Sequence, residues 1–379
     1  MIQFELTSDC ELFEDAMAFA QEQVRAQIKR RPGFYPMYTQ NGKWEHEGPA
    51  WTQWTDGFFP GMMWIFQRFN GPGSPEAEWW KEQALAYTTP LEPRKMDRDV
   101  HDLGFIFLPT YRRWHMMMPD PAVNQVLVQA GQTLAQRFRE KGQYLSSFVS
   151  EESLFIDIMM NVGIIFYAAR ETGDRMLREI ALRHCMTTRR VLVRGDGSTA
   201  HEGIFDPETG EFLRQSTQQG ARADSCWSRG LTWALYGFST TYEYSRDPRF
   251  LHTAEGCADY YITHAPAEGV AAWDFNAPAD SRKQVDTSAA AIAAAGLLRL
   301  CRLVPDPVKG HFYWNTAVRI LRTLSESYLA ENVDGWEGIL RGGVYHMHKG
   351  LGVNESVVWG EYYFVEALES VLRQISERP

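Results

Sequence analysis

Leu12, Phe13, Ala16, Phe19, Ala20 and Val24 recur at intervals of three and four, which places them on one face of a helix over 9–30. The same period returns along the whole chain. It predicts further helices near 57–70, 75–89, 101–117, 121–141, 155–171, 174–193, 226–244, 247–264, 286–304, 308–330 and 355–375. That makes about twelve, with ends uncertain by roughly 2–4 residues. The connections are punctuated by a Gly that ends one helix and an Asp or Pro that starts the next. Glu171-Thr172-Gly173-Asp174 and Ser245-Arg246-Asp247-Pro248 are examples. Strand-like alternation is confined to short pieces such as Thr199–Phe205.

No linker or low-complexity run divides the chain. The pattern therefore predicts an all-α protein, a single domain over 1–379. Its six helical hairpins would close into a toroid, an (α/α)6 barrel. The alternative built from the same hairpins is an open α-solenoid. Long loops carrying polar motifs favour the toroid, where one rim holds a cleft.

Composition narrows the function. The formal net charge of −10 argues against non-specific nucleic-acid binding, which needs a basic surface. It leaves room for an anionic small substrate held by local arginines and histidines. Nothing approaches the roughly 20 apolar residues of a membrane span, and the N-terminus lacks the pattern of a signal peptide. Five scattered cysteines without a CxxC pair suit a reducing cytoplasm and give no zinc signature. The expectation is a cytoplasmic protein without membrane or nucleic-acid partners, a monomer or weak homodimer. There is no P-loop, GxGxxG or GxSxG. The 13 Trp, 16 Tyr and 21 Phe suit the C–H faces of sugars, or simply a large core.

Two aspartates stand out. Asp102, in His101-Asp102-Leu103-Gly104-Phe105, begins an apolar helix and could be its N-cap. Asp157, in Leu154-Phe155-Ile156-Asp157-Ile158-Met159-Met160-Asn161, follows apolar residues directly and fits a cap less well. An acid in such surroundings is capped, paired or functional, and desolvation raises its pKa toward that of a general acid. A third cluster runs from Thr217 to Gly237. Its Arg229 and Trp233 are four apart, so they share a helical face that could grip a carboxylate and stack on a ring, or could be an aromatic core stripe with one surface arginine. His201 is a lone histidine. Asp286-Thr287-Ser288 reads as a helix start. His346 and His348, two apart in a loop, are poorly placed to share a zinc ion.

His101-Asp102-Leu103-Gly104-Phe105, Asp157-Ile158-Met159-Met160-Asn161, Phe205-Asp206-Pro207-Glu208-Thr209-Gly210, Trp227-Ser228-Arg229-Gly230 with Trp233, Trp273-Asp274-Phe275, Asp286-Thr287-Ser288-Ala289-Ala290 and Trp359-Gly360-Glu361-Tyr362-Tyr363 occur in that order, preceded by Trp54-Thr55-Asp56-Gly57-Phe58. Together they resemble the unsaturated glucuronyl hydrolases of glycoside hydrolase family 88, from about residue 50 to 370. The resemblance implies an (α/α)6 barrel and hydration of the C4=C5 bond in an unsaturated uronate-containing oligosaccharide, with no metal or organic cofactor. It implies Asp157 as acid/base, Asp102 as the neighbour that keeps it protonated, and Trp54, His101, His201, Gln219, Arg229 and Trp233 as substrate contacts. The loop Tyr345–Gly350 would bring His346 and His348 to the next sugar or a sulfate. Gln218 stands where the family often has His, and Leu231-Thr232 where it often has Gln-Ala. The rival readings are an unsaturated rhamnogalacturonyl hydrolase acting on pectin-lyase products, a sugar epimerase, and a non-catalytic sugar-binding toroid. The motifs favour the glucuronyl family over the first, and scattered histidines speak against the second.

Overall fold

Outer and inner helices alternate along the chain. In order they are α1 (Cys10–Arg30), α2 (Phe58–Phe69), α3 (Pro75–Thr88), α4 (Leu103–Phe107), α5 (Tyr111–Met117), α6 (Pro121–Ala135), α7 (Ile158–Asn161), α8 (Gly163–Thr172), α9 (Arg175–Leu192), α10 (Ser228–Ser245), α11 (Pro248–His264), α12 (Thr287–Leu300), α13 (Pro307–Ser327) and α14 (Val358–Ser376). The structure, a computed structural model, describes residues 9–45, 52–71 and 73–376. Both ends of the expected 1–379 domain lie outside them.

The inner ring is α2, α4 with α5, α7 with α8, α10, α12 and α14. Each packs on the next, and α14 closes on α2. The outer helices α1, α3, α6, α9, α11 and α13 each back an inner one. This is the closed (α/α)6 barrel that the pattern predicts. The division follows from sequence. In α2, Phe58, Phe59, Met62, Met63, Trp64, Ile65 and Phe66 are all buried, so the helix is apolar all round. In α12 the Ala289–Ala295 stretch is buried, and its small side chains let α10 and α14 approach. In α9, by contrast, only a stripe including Leu177, Ala181, Cys185, Thr188 and Leu192 is buried, and arginines and glutamates face out. Asp120, Asp174, Asp247, Asp286 and Asp306 each accept a backbone N–H of the first turn they precede.

Three departures from the predicted helices have local causes. The 101–117 segment divides at Leu108-Pro109-Thr110, because proline has no N–H to continue the ladder and its ring crowds the preceding turn. The 121–141 segment stops at Ala135 and turns into the hairpin β1 (Phe138–Arg139) and β2 (Tyr144–Leu145). The 155–171 segment begins as a strand. There β3 (Ser153–Phe155), β4 (Glu202–Phe205) and β5 (Phe212–Ser216) form an antiparallel sheet. A last hairpin pairs β6 (Gly343–His346) with β7 (Leu351–Glu355).

The inner helices run in one direction. Their N-terminal ends, with the sheets and long loops, form one rim. At the opposite end, Arg68, Arg113, Arg299, Glu243, Glu366 and Glu369 interlock with Tyr236 and Tyr362 across α2, α5, α10, α12 and α14. Among the described residues, no helix is long and apolar enough to cross a membrane.

Candidate active site

A cavity of about 820 Å³, its open mouth included, sits at the N-terminal rim. Its walls come from the segments that lead into successive inner helices. Trp54 precedes α2, Asp102 precedes α4, Asp157 precedes α7, Gln219 and Arg229 flank the start of α10, and Tyr345 and His346 lie on β6 ahead of α14. The positive poles of the longer inner helices therefore point toward it. Arg229 and Lys349 face Asp102 and Asp157 in its lining, so the cavity is less acidic than the chain as a whole.

Asp102 and Asp157 both line the cavity, and neither caps its helix: no side-chain hydrogen bond runs from either to the first turn. Asp102 Oδ2 accepts from Thr52 Oγ1 at 3.1 Å, while its Oδ1 lies 3.3 Å from His101 Nε2. Asp157 Oδ2 lies 3.5 Å from His201 Nε2. Each carboxyl thus has an imidazole behind it. Both rings are fixed from the other side. His101 Nδ1 accepts Phe148 N–H at 3.0 Å, and His201 Nδ1 accepts Gln218 N–H at 3.0 Å and Gln219 N–H at 3.2 Å. A ring nitrogen that accepts carries no proton, so Nε2 carries it in both.

The two aspartates are held together by Asn161. Its Oδ1 accepts Phe105 N–H at 2.8 Å and its Nδ2 donates to the Asp157 carbonyl at 3.2 Å, joining the two segments. Gly104 permits the approach: a Cβ there would lie 2.4 Å from Asn161 Cα.

The environments push the pair apart. Burial drives the Asp102 carboxyl up; the nearby Asp157 charge adds to this, and His101 opposes it. Burial also pushes Asp157 up, but His201, His101 and Arg229 outweigh it and hold the carboxyl below its ordinary range. The sequence-based expectation assigned the raised value to Asp157. The structure gives it to Asp102, because Asp157 alone has both a close imidazole N–H and the Arg229 charge. His101 is held below the ordinary histidine range by burial.

Arg229 is 1 % exposed and heavily committed. Its guanidinium donates to Asp286, to the carbonyls of Val344 and Tyr345, and to Gln219 Oε1, and it stacks on Trp227 and Trp359. Asp286 caps α12 and holds Arg229 at once. The expected grip of Arg229 with Trp233 is not formed. Trp233 is fully buried against Phe105 and Tyr363 and does not line the cavity, because its position on α10 faces the barrel core. His201 likewise sits behind Asp157 rather than in the lining. His346 reaches the cavity, whereas His348 turns away and its Nε2 pairs with the Gly220 carbonyl at 2.7 Å. Trp54 is in the lining, packed on Trp359 and Phe105. The expected loop Tyr345–Gly350 also brings Tyr345 and Lys349 to the lining, whereas sequence reasoning missed Thr52, Phe148 and Val149, the last two exposed. In sequence, the apolar pair Phe148-Val149 between Ser146-Ser147 and Ser150-Glu151-Glu152 is the signal available. His101, His201 and His346, far apart in sequence, gather here. Two of the three stand behind carboxyl groups.

The model of glycosyl hydrolase family 88 matches residues 20–300. The chain belongs to glycosyl hydrolase family 88. An unsaturated chondroitin disaccharide hydrolase of Streptococcus pyogenes is 30% identical over 328 residues, covering 84% of this chain and 80% of that protein. A solved unsaturated glucuronyl hydrolase specific for heparin superposes with a TM-score of 0.88 at 28% identity, over 98% of this chain and 99% of that one. An Asp-to-Asn variant of the Streptococcus agalactiae unsaturated glucuronyl hydrolase, solved with dGlcA-GalNAc6S, superposes with a TM-score of 0.80 at 28% identity, over 98% and 97% of the two chains. This family 88 member is accordingly a glycoside hydrolase, and its barrel is that of its solved relatives. The rhamnogalacturonyl and non-hydrolase readings are not favoured.

Proposed function

We propose that this enzyme releases a Δ4,5-unsaturated uronic acid from the non-reducing end of lyase-generated oligosaccharides by adding water across C4=C5. The observation that carries the reading is the uncapped pair Asp102 and Asp157, facing one cavity with their carboxyl pKa values driven in opposite directions. Such a pair holds one proton over a broad pH range. In the free protein the proton rests on Asp102. An anionic uronate and the loss of water beside Asp157 favour its neutral form, and the proton passes to it.

Asp157 then protonates C4, leaving an oxocarbenium-like centre at C5. Water adds to C5 and gives a proton back to the Asp157 carboxylate. The C5 hemiketal opens by breaking C5–O5, and the C1 hemiacetal so formed collapses and releases the next sugar. Arg229 supplies a fixed positive charge beside Asp157, and Trp54 a ring for the sugar face. The partner is thus an unsaturated uronate-containing oligosaccharide, and the chain is one catalytic unit. Its five unbonded cysteines suit a cytoplasmic setting.

The test follows the ultraviolet absorbance of the conjugated C4=C5 carboxylate in unsaturated disaccharides from chondroitin, hyaluronan, heparin, gellan and pectin lyases. Wild type is expected to bleach at least one, and Asp157→Asn none. A panel left intact by wild type overturns the reading. The substrate bleached fastest identifies the leaving sugar.

A further inference from the structure

We infer that Glu202 is a positioning residue for the catalytic pair, bracing in two directions the loops whose backbone amides hold His101 and His201 as Nε2–H donors toward Asp102 and Asp157. The inference rests on the reading of those aspartates as the catalytic pair.

The two amides belong to separate loops. Phe148 N–H, which holds His101, follows β2; Gln218 N–H, which holds His201, follows β5. Glu202 lies between them on β4, opposite Phe155 of β3 and Ser216 of β5. Its Oε1 accepts Ser153 Oγ at 2.7 Å. Ser153 Oγ in turn accepts Ser147 Oγ at 2.8 Å, and Ser147 Oγ accepts Val149 N–H at 3.2 Å, so this branch grips the residues on both sides of Phe148. Glu202 Oε2 accepts Gln218 Nε2 at 3.1 Å, from the residue whose N–H holds His201.

The direction of the chain requires an acceptor at its centre. Each serine hydroxyl has one proton, already given toward Glu202, and the Gln218 amide gives another. Glu202 is 1 % exposed, and the side chains that donate to it, Ser153 and Gln218, are both neutral. A buried carboxylate held only by neutral donors is costly to keep. It fits a part whose value lies in fixing two loops at once. Gln218, which departs from the family pattern, is the donor to its Oε2.

His101 is the group whose charge the brace governs. It is faced by Asp102, Asp157, Arg137 and His201, and burial holds it low. His184 is a further neighbour. If the Phe148 amide withdraws, Nδ1 is free to take a proton.

The test uses the whole protein with ¹⁵N-labelled histidine, the two rings assigned from His101→Gln and His201→Gln. In wild type both rings are expected to show unprotonated Nδ1 and protonated Nε2. In Glu202→Gln, an amide N–H replaces one acceptor, and at least one ring is expected to lose that signature. The kcat on the best unsaturated disaccharide is then expected to fall about tenfold to a hundredfold with KM little changed. The exchanged pair Glu202→Gln with Gln218→Glu restores a donor facing an acceptor, and is expected to recover the signature and most of kcat. Glu202→Gln with wild-type ring signals and pH profile, altered only in thermal stability, overturns the inference. The ring signals are read without turnover, so they stand whether or not the wild type bleaches any substrate.

Discussion

The Asn161 side chain accepts the Phe105 N–H with its oxygen and donates to the Asp157 carbonyl with its nitrogen. One amide thereby sets the distance between the two segments that carry the aspartates. Asn161→Ala leaves a buried N–H unpaired, and we expect it to cost about 1–3 kcal/mol of stability. The misplacement it permits should lower kcat about a hundredfold. Gly104→Ala drives a methyl into the Asn161 backbone and should act in the same direction. Thermal unfolding and steady-state bleaching of the substrate chromophore check both. Unchanged kcat in a folded Asn161→Ala would show that spacing is set elsewhere.

Replacing Asp157 by Asn removes the proton donor and acceptor together. A loss of about 10²–10⁴ in kcat is expected, with substrate affinity retained, because general acid–base catalysis contributes on that scale. Single-turnover bleaching and equilibrium binding separate the two quantities.

The same substitution at the two aspartates should move stability in opposite directions at neutral and higher pH. The Asp102 value is raised in the fold, so its contribution is complete below the unfolded value of about 3.9 and is lost as pH rises through the raised value. The Asp157 value is lowered, so its contribution is present above about 3.9 and is lost as pH falls through the lowered value. At pH 8, Asp102→Asn should raise Tm and Asp157→Asn should lower it. At pH 4 the gain in Asp102→Asn should shrink. Calorimetry at both pH values decides this.

The alkaline limb of kcat/KM should follow the loss of the last proton of the pair, from Asp102. The Thr52 hydroxyl donates to that carboxyl and holds its value down. Thr52→Val removes the bond, so the Asp102 value rises and the alkaline limb moves to higher pH. A pH–rate profile in which the limb stays in place would assign it to another group.

Two tryptophans with similar sequence signals should behave differently. Trp54 lines the cavity, so Trp54→Ala is expected to raise KM. Trp233 is wholly buried, so Trp233→Ala should cost about 3–5 kcal/mol of stability and act on KM only through the fold. Kinetics and denaturant unfolding of the two variants make the comparison.

That contrast marks where sequence stops being legible. Period and punctuation place the helices closely, because every outer helix but α3 is clearly amphipathic and many starts carry a capping Asp or Ser. Period says that Arg229 and Trp233 share a side of α10, but not that the side turns into the barrel core. The aspartate pair could be found because acids among apolar residues stand out. The supports behind it could not. His101 and His201 are set by backbone amides of loops remote in sequence, and no local pattern records them. Tyr345 and Phe148 sit beside or within strands too short to show alternation. Pro109, visible all along, divides the 101–117 helix that periodicity alone would run through.

The buried rings of Phe58, Phe105, Trp233 and Tyr363 pack on one another beneath the cavity, above the interlocked arginines, glutamates and tyrosines of the far end, and make it a well rather than a tunnel. A polymer cannot thread it, so only a chain terminus can reach the floor. Entry and exit share one doorway. With the uronate at the floor, as proposed, the fragment nearest the mouth leaves before the opened uronate behind it, and an abundant outer fragment corks the well.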